Sequence, residues 1–309
     1  MQVLHGTALP SPARARAPER GVWRVGAVQH RWHPDPDEHR AALAEGVRAA
    51  AAAGAELVCL PELTLSPYFA ISARGPVGSE VAPEPLPGGP THRFATSMAA
   101  ETGAAVHASL YEAADDGGLG WNTAICVAPD GSLLARTRKV HLPVTAGYHE
   151  DRWFRPGDEP GTPVRCGPAR VAFPTCWDQW FGELARHHAL EGADALVYAT
   201  AIGSEPDHPD FDTEPLWEHV MRAHAITNGL FVVAVNRIGT ECADDRAITF
   251  YGSSFVCDPY GRVLVQASRD TPAVLVADCD LDQRRDWLEL FPLLRTRRPD
   301  VYRRLTMPD

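Results

Sequence analysis

No stretch of the 309-residue sequence approaches 18 uninterrupted apolar residues, so a membrane-spanning helix is excluded. The sequence also lacks an excess of basic residues, because 29 lysines and arginines stand against 40 aspartates and glutamates and the formal net charge is −11. A nucleic acid or an anionic membrane surface would require a basic face, and neither is expected as a partner. A cationic small molecule is compatible with this charge.

The seven cysteines are odd in number and scattered, and they form neither a C-x-x-C motif nor a zinc-like spacing with histidine. This pattern predicts free thiols in a reducing compartment, here the cytoplasm. Cys59, Cys126 and Cys257 lie in strand-like apolar runs, which predicts small core residues. Cys176 has a different setting, because it lies at a strand end among aromatic and polar residues.

The first 21 residues are rich in alanine, proline and arginine and contain no apolar segment of the kind found in secretory signals. Residues 1–21 are therefore predicted to form a flexible tail. No change in composition marks a linker further along the chain, and residues 22–309 are predicted to form a single domain.

Strand-like and helix-like segments follow a similar order in both halves of the chain. In the first half, strands are predicted at residues 22–29, 56–60, 104–110, 121–128 and 132–137, and helices at 36–53 and 91–101. In the second half, strands are predicted at residues 169–173, 195–198, 231–236, 250–257 and 262–266, and helices at 182–190 and 215–228. This alternation indicates a layered α/β protein, with two sheets packed face to face and the helices outside.

Cys176 lies directly after a predicted strand and shortly before a predicted helix. Such a turn can hold a nucleophile exposed, with backbone N–H groups close enough to stabilise an oxyanion. A role as a core residue is the alternative, because most free cysteines fill space. A catalytic role requires a base and an oxyanion donor elsewhere in the chain.

The usual partner of a catalytic thiol is histidine, but none of the 13 histidines stands in a recognisable catalytic frame. His187 and His188 fall on an outer helix and are expected to be solvated. A papain-like site is not predicted, since its flanking motif is absent.

Glu62 and Lys139 each lie just past the end of a predicted strand. A charged residue at this position in an α/β sheet points toward the crevice where ligands bind. Taken singly, each is explained as a surface charge. Together with Cys176 they place a carboxylate, an ammonium and a thiol at equivalent positions, where the carboxylate can accept the thiol proton and the ammonium can stabilise an oxyanion.

Three short motifs carry a resemblance to a known family. In order and spacing, the motifs are similar to the glutamate, lysine and cysteine motifs of the nitrilase (carbon–nitrogen hydrolase) superfamily: Pro61-Glu62-Leu63, Arg138-Lys139-Val140-His141 and Cys176-Trp177-Asp178. Five longer strings resemble the N-carbamoylputrescine amidohydrolase branch: Cys176-Trp177-Asp178-Gln179-Trp180-Phe181, Thr200-Ala201-Ile202-Gly203-Ser204-Glu205-Pro206, Asn236-Arg237-Ile238-Gly239, Ile248-Thr249-Phe250-Tyr251-Gly252 and Arg297-Arg298-Pro299-Asp300. The resemblance extends over about residues 22–302.

The resemblance implies a four-layer αββα sandwich of the nitrilase type and hydrolysis without a metal or an organic cofactor. By position, Cys176 would be the nucleophile, Glu62 the general base and Lys139 the group that stabilises the oxyanion. Glu150 matches the family's second glutamate and would orient Lys139 and the substrate amide, and the backbone N–H of Trp177 would complete the oxyanion hole. Family members commonly assemble, so a homo-oligomer is expected, with residues 284–302 contributing.

The resemblance also implies a small amide or ureido substrate, with an N-carbamoyl amine such as N-carbamoylputrescine as the leading prediction. Glu205 is the candidate for binding a cationic amine, because a carboxylate pairs with an ammonium by charge-assisted hydrogen bonding. A loop carboxylate without a role is the alternative for Glu205. Trp177 and Tyr68 are candidate pocket walls, and Asp178 either shapes the pocket or holds the turn at the nucleophile.

Two of the segments that depart from the pattern of the branch are Thr64-Leu65-Ser66-Pro67 and Val144-Thr145-Ala146. Neither touches the triad, so hydrolysis is still expected, but both can reshape the pocket. An amidase for a different amide is therefore the alternative within the superfamily. A non-catalytic binding protein is disfavoured, because all three reactive residue types are present.

Overall fold

The computed structural model describes residues 1–307 of the chain. The α-helices of this part are α1 (Pro36–Ala52), α2 (Pro90–Thr102), α3 (Gly182–Leu190), α4 (Glu214–Asn228) and α5 (Asp282–Leu290). The strands are β1 (Gln2–Gly6), β2 (Val22–Arg31), β3 (Leu57–Cys59), β4 (Ala105–Glu112), β5 (Trp121–Val127), β6 (Leu133–Arg138), β7 (Val144–Thr145), β8 (Tyr148–His149), β9 (Val164–Cys166), β10 (Ala169–Ala172), β11 (Ala195–Ala199), β12 (Phe231–Val235), β13 (Arg237–Ala243), β14 (Arg246–Tyr251), β15 (Phe255–Cys257), β16 (Val263–Gln266) and β17 (Ala273–Asp280).

Two sheets carry most of these strands. The first has the order β1-β17-β2-β3-β4-β5-β6, and the hairpin of β13 and β14 joins it because β13 pairs in parallel with β2. The second has the order β16-β15-β12-β11-β10-β9. The strands β2, β3 and β4 are parallel in the first sheet, as are β10, β11 and β12 in the second, so the two sheets have similar centres.

The two sheets pack against each other through their inner faces. Trp23, Val25 and Leu57 of the first sheet share one buried core with Val171 and Val197 of the second. Helices α1 and α2 cover the outer face of the first sheet, and α3 and α4 cover the outer face of the second. The order of layers is helix, sheet, sheet, helix, which is the predicted αββα sandwich.

Helix α1 shows how local sequence sets these elements. Asp35 caps it, since its side chain accepts hydrogen bonds from the backbone N–H groups of Asp37 and Glu38. Leu43 and Val47 lie four residues apart on one face and are buried against the first sheet. The same spacing made this helix predictable.

The prediction of a flexible tail over residues 1–21 is wrong. Gln2–Gly6 form an edge strand that pairs in parallel with β17 along its whole length. Further along, the guanidinium group of Arg20 binds the carboxylate of Asp194 at 2.5 Å. The strand is held by a partner about 270 residues away in the chain, which local composition does not reveal.

The predicted strand at residues 250–257 is two strands in the structure. β14 ends at Tyr251 and β15 begins at Phe255, and between them Gly252 and Ser253 both have a φ of 53°. This left-handed backbone breaks the extended run, and the chain passes from β14 beside β13 in the first sheet to β15 in the second. No helix within residues 1–307 is long and apolar enough to cross a membrane. The homo-oligomer and the single domain over residues 22–309 stay predictions.

Candidate active site

Three charged side chains meet in the interior beside the first sheet. Glu62 follows β3, Lys139 follows β6 and Glu150 follows β8, and all three are fully buried. The Nζ of Lys139 lies 2.8 Å from Oε1 of Glu62, and 2.7 and 2.8 Å from the two carboxylate oxygens of Glu150. The structure thus brings together the predicted base, the predicted oxyanion group and the second glutamate.

Two neutral side chains complete this group, which we call the charge cluster (Glu62, Lys139, Glu150, Tyr68 and Asn122). The hydroxyl of Tyr68 donates to Oε1 of Glu150 at 2.8 Å. The amide of Asn122 donates to Oε1 of Glu62 at 2.7 Å and, more weakly, to Oε2 of Glu150 at 3.4 Å. Oε2 of Glu62 has no hydrogen-bond partner among the described residues and is the oxygen left to accept a proton.

Burial and charge act against each other within the cluster. Burial raises the pKa of Glu150 to about 7, and the charge of Lys139 only partly opposes this rise. Burial alone would lower the pKa of Lys139, but the carboxylates of Glu150 and Glu62 outweigh it and raise that pKa. Lys139 is therefore a fixed cation, whereas Glu150 titrates near neutral pH.

Arg237 holds the backbone that carries Glu62. Its buried guanidinium donates to the carbonyl oxygens of Glu62, Leu63 and Ser66 at 2.7 to 3.2 Å, and it also binds the carboxylate of Glu241. Leu63 needs this support, because its φ of 50° lies in the left-handed region that non-glycine residues avoid. The hairpin of β13 and β14 therefore fixes the position of Glu62 through Arg237.

Cys176 begins a short 3₁₀ turn after β10, and its φ of 34° marks a strained backbone. Asp178 braces this turn, because its carboxylate accepts from the N–H of Thr175 at 3.0 Å and from the N–H of His141 at 2.9 Å. Burial raises the pKa of the Cys176 thiol well above its usual value, Glu62 adds to the rise, and Lys139 opposes it. The resting group is therefore a neutral thiol that needs a base before it can attack.

A cavity of about 140 Å³ opens beside Cys176. The residues that line it, which we call the cavity wall, are Pro143, Thr145, Tyr148, Cys176, Trp177, Trp180, Ile202, Glu205, Thr213 and Leu216. Glu205 is the one carboxylate in this set, and Thr213 donates to its Oε1 at 3.2 Å. Burial raises the pKa of Glu205, and the hydrogen bond from Thr213 opposes that rise.

The structure places the predicted substrate-binding residues in different surroundings. Trp177 and Glu205 line the cavity as expected. Tyr68 does not line it, and its hydroxyl binds Glu150 instead, so the prediction of an apolar wall is wrong for Tyr68. Asp178 is fully buried behind the nucleophile, so of its two predicted roles the structure has the one that holds the turn.

Several residues of the site were missed by sequence reasoning. Asn122 offers the clearest signal, since an amide within a largely apolar strand needs a buried partner. The hydroxyl of Tyr148 accepts from the N–H of Gly203 and donates to the carbonyl of Ser204, which fixes the loop that carries Glu205. Thr213 and Leu216 reach the cavity wall from the start of α4, which no local pattern indicates.

No histidine enters the charge cluster or the cavity wall as the structure describes them. His188 is buried, against the expectation that it would be solvated, whereas His187 is only partly covered. Within residues 1–307, no group of three or more histidine, cysteine, aspartate or glutamate side chains is arranged to hold a metal ion. The reactive groups that the site brings together are a thiol, two carboxylates and an ammonium.

A sandwich that sets a thiol beside a buried Glu–Lys–Glu cluster is built for acyl transfer from an amide to sulfur and then to water. The model of the carbon–nitrogen hydrolase family matches residues 24–289, and the chain belongs to this family. It is a nitrilase-superfamily amidase, an enzyme that hydrolyses carbon–nitrogen bonds in linear amides.

Individual members of the family show which enzymes the chain is similar to. The chain is 36% identical over 289 residues to the N-carbamoylputrescine amidase of Solanum lycopersicum, which covers 92% of this chain and 95% of the relative. It is 35% identical over 279 residues to the citrullinase of Francisella tularensis, with 90% and 96% covered. A solved carbon–nitrogen hydrolase from Helicobacter pylori G27 matches with a TM-score of 0.81 and 32% identity, over 93% of this chain and 99% of that one.

Proposed function

We propose that the enzyme hydrolyses an N-carbamoyl amine that carries a distal ammonium group, with N-carbamoylputrescine as the representative substrate. The observation that carries this proposal is the composition of the cavity wall. Cys176 lies at one part of it, the single carboxylate, Glu205, at another, and apolar side chains such as Trp180 and Leu216 line the space they share. A linear substrate with an uncharged ureido end and a cationic end fits this distribution.

In the first half of the proposed reaction, Oε2 of Glu62 takes the thiol proton and the sulfur of Cys176 attacks the ureido carbon. The ammonium of Lys139 and the backbone N–H of Trp177 stabilise the oxyanion. The tetrahedral intermediate collapses when Glu62 returns the proton to the departing nitrogen. Ammonia leaves, and a carbamoyl thioester remains on Cys176.

In the second half, Glu62 accepts a proton from water, and the hydroxide attacks the thioester carbon. The carbon–sulfur bond breaks, the thiolate of Cys176 recovers the proton, and a carbamate is released. The carbamate then decays to the free amine and carbon dioxide. Glu150 keeps Lys139 in place through both halves, because it accepts two hydrogen bonds from the Nζ atom.

Two other substrate classes remain as rivals. Citrulline is suggested by the similarity to citrullinase, and it would bring an α-carboxylate into the cavity. The described cavity wall contains no lysine or arginine to pair with that carboxylate, which favours the simple amine. A different linear amide is suggested by Thr145, which lies in a segment that departs from the branch and lines the cavity.

Ammonia release from N-carbamoylputrescine, citrulline and a simple aliphatic amide tests this proposal. We expect the first substrate to have the highest kcat/KM, by about 10-fold or more, because it brings an ammonium to Glu205 without the α-carboxylate that citrulline adds, whereas the aliphatic amide has no ammonium. The variant Cys176→Ala should bind this substrate and release no ammonia above background. Turnover by that variant would rule out the nucleophile, whereas a preference for citrulline or for the aliphatic amide would rule out the substrate class.

A further inference from the structure

Asn122 lies between the two carboxylates of the charge cluster. It is fully buried on β5, next to the strand that leads into Lys139. Its side-chain nitrogen lies 2.7 Å from Oε1 of Glu62 and 3.4 Å from Oε2 of Glu150, and its backbone carbonyl accepts from the N–H of Lys139 at 2.8 Å. One residue thus contacts all three charged members of the cluster.

A second set of contacts fixes which way the amide points. The hydroxyl of Ser109 donates to Oδ1 of Asn122 at 3.2 Å, and the same hydroxyl accepts from the N–H of Leu63 at 3.1 Å. Because the Asn122 oxygen is occupied by this donor, its NH₂ group must face the carboxylates. A chain of hydrogen bonds therefore runs from the backbone beside Glu62 to the side chain of Glu62.

The two carboxylate oxygens of Glu62 differ in their hydrogen bonds. Oε1 accepts from both Lys139 and Asn122, whereas Oε2 has no partner among the described residues. A carboxylate oxygen that already accepts two hydrogen bonds is a weaker base than its free neighbour. Two carboxylates also share a single cation here, and a neutral donor directed at both reduces their repulsion without adding charge.

We propose that Asn122 is a positioning residue that holds Glu62 by Oε1 and so assigns proton transfer to Oε2. The inference rests on the proposed role of Glu62 as general base. Asn122 does not line the cavity, so its contribution belongs to kcat and not to substrate binding.

Two variants separate positioning from shape. Asn122→Asp keeps the shape and can still accept from Ser109, but it replaces the donor with a third carboxylate. Asn122→Leu removes the donor without adding charge. We expect kcat to fall about 10- to 100-fold for the leucine variant and further for the aspartate variant, with KM within about twofold of wild type.

Thr123→Val is the matched control. Thr123 is the next residue on β5 and is equally buried, but its hydroxyl donates to Glu112, outside the charge cluster. We expect kcat within about twofold of wild type. Circular dichroism and a thermal melt establish that each variant folds, and the leucine variant decides the question if the aspartate variant does not fold.

Each outcome has a defined meaning. An Asn122→Asp enzyme with wild-type kcat, or an Asn122→Leu enzyme whose only defect is in KM, would overturn the inference. If Glu62→Gln and Cys176→Ala abolish turnover while both Asn122 variants keep the kcat of the wild type, the proposed function stands and the positioning role alone fails. If Glu62→Gln remains active, the role of the base fails instead.

Discussion

The charge cluster and the cavity wall differ in burial, in charge and in the way their polar groups are partnered. Glu62, Lys139 and Glu150 are fully buried and bind one another at 2.7 to 2.8 Å. The cavity wall is largely apolar, and its carboxylate, Glu205, is half-buried with one hydroxyl partner at 3.2 Å. Each charged group of the cluster is held by several contacts within the protein, whereas Glu205 in the wall has one hydrogen-bond partner and can bind a ligand.

This difference separates chemistry from recognition. A buried ion pair loses its hydration, and only well-placed charged and hydrogen-bonding partners offset that loss. Removing one member therefore disturbs all the others. A half-buried carboxylate is screened by water, and its loss affects only what binds to it. Changes to the cluster should therefore alter kcat, and changes to the wall should alter KM and substrate choice.

Among the changes that compare the two regions, the largest effect is expected from Glu150→Gln, which removes a carboxylate from the cluster. Lys139 keeps Glu62 as its remaining charged partner and is drawn toward the base, so kcat should fall about 100-fold with little change in KM. Steady-state ammonia release measures both constants. A change confined to KM would contradict the separation.

The same variant has a signature in stability. Burial raises the pKa of Glu150 to about 7, so the stabilising effect of its proton is fully present at acid pH and is lost as the pH rises through that value. The free energy of unfolding of Glu150→Gln relative to wild type should therefore rise between pH 5.5 and pH 8.5, by an amount on the order of 1 kcal/mol. The difference between the two melting temperatures, measured across this pH range, follows that change.

Glu112→Gln supplies the control for that signature. Glu112 is also buried, and burial alone would raise its pKa, but Arg138 and Arg136 outweigh burial and hold the pKa below its usual value. Glu112 is thus ionised throughout the interval from pH 5.5 to 8.5. Glu112→Gln should be less stable than wild type by a constant amount across this interval. If the stability difference between Glu150→Gln and wild type is likewise independent of pH, the raised pKa of Glu150 is refuted.

The two regions also differ in how well sequence predicted them. Glu62, Lys139 and Cys176 follow strands whose periodic apolar residues are visible locally, and short motifs mark all three. Glu150 was reached only through the resemblance, because β8 has just two residues and no local signal. The αββα layers were predictable from the alternation of helices and strands alone.

What sequence could not supply depends on contacts between distant segments. Tyr68 was expected to be a wall residue, yet the position of Glu150, 82 residues further on, makes it a hydrogen-bond donor. Asn122 gains its meaning from the pairing of β5 with β4 and β6, which brings it between two carboxylates. The edge strand β1 likewise depends on β17.

An intermediate effect is expected from Glu205→Gln, which changes the wall and leaves the cluster intact. KM for N-carbamoylputrescine should rise about 10-fold, because a charge-assisted hydrogen bond is lost, while kcat stays within about twofold. N-Butylurea, which lacks the ammonium, should show no change. Asp207→Asn is the control, since this exposed carboxylate lies two residues away and pairs with Arg246. Equal effects on both substrates would remove Glu205 from cation recognition.

The smallest effect is expected from Thr213→Val, which changes only the partner of the free charge. The hydroxyl of Thr213 donates to Glu205 and opposes the rise in its pKa that burial causes. Without it the pKa of Glu205 should rise further, so a smaller fraction of the carboxylate is ionised in mildly acidic solution. KM for N-carbamoylputrescine should increase about threefold at pH 8 and by more at pH 6.

Thr145→Val is the matched change, because Thr145 lines the same cavity and makes no hydrogen bond to Glu205 among the described contacts. Its KM should show the pH dependence of the wild type. If Thr213→Val follows that same profile, the hydroxyl contributes shape and not charge. A steeper rise in KM toward pH 6 for Thr213→Val alone means that the hydroxyl of Thr213 sets the pKa of Glu205. The wall then controls its carboxylate through one hydrogen-bond partner, whereas the cluster uses several.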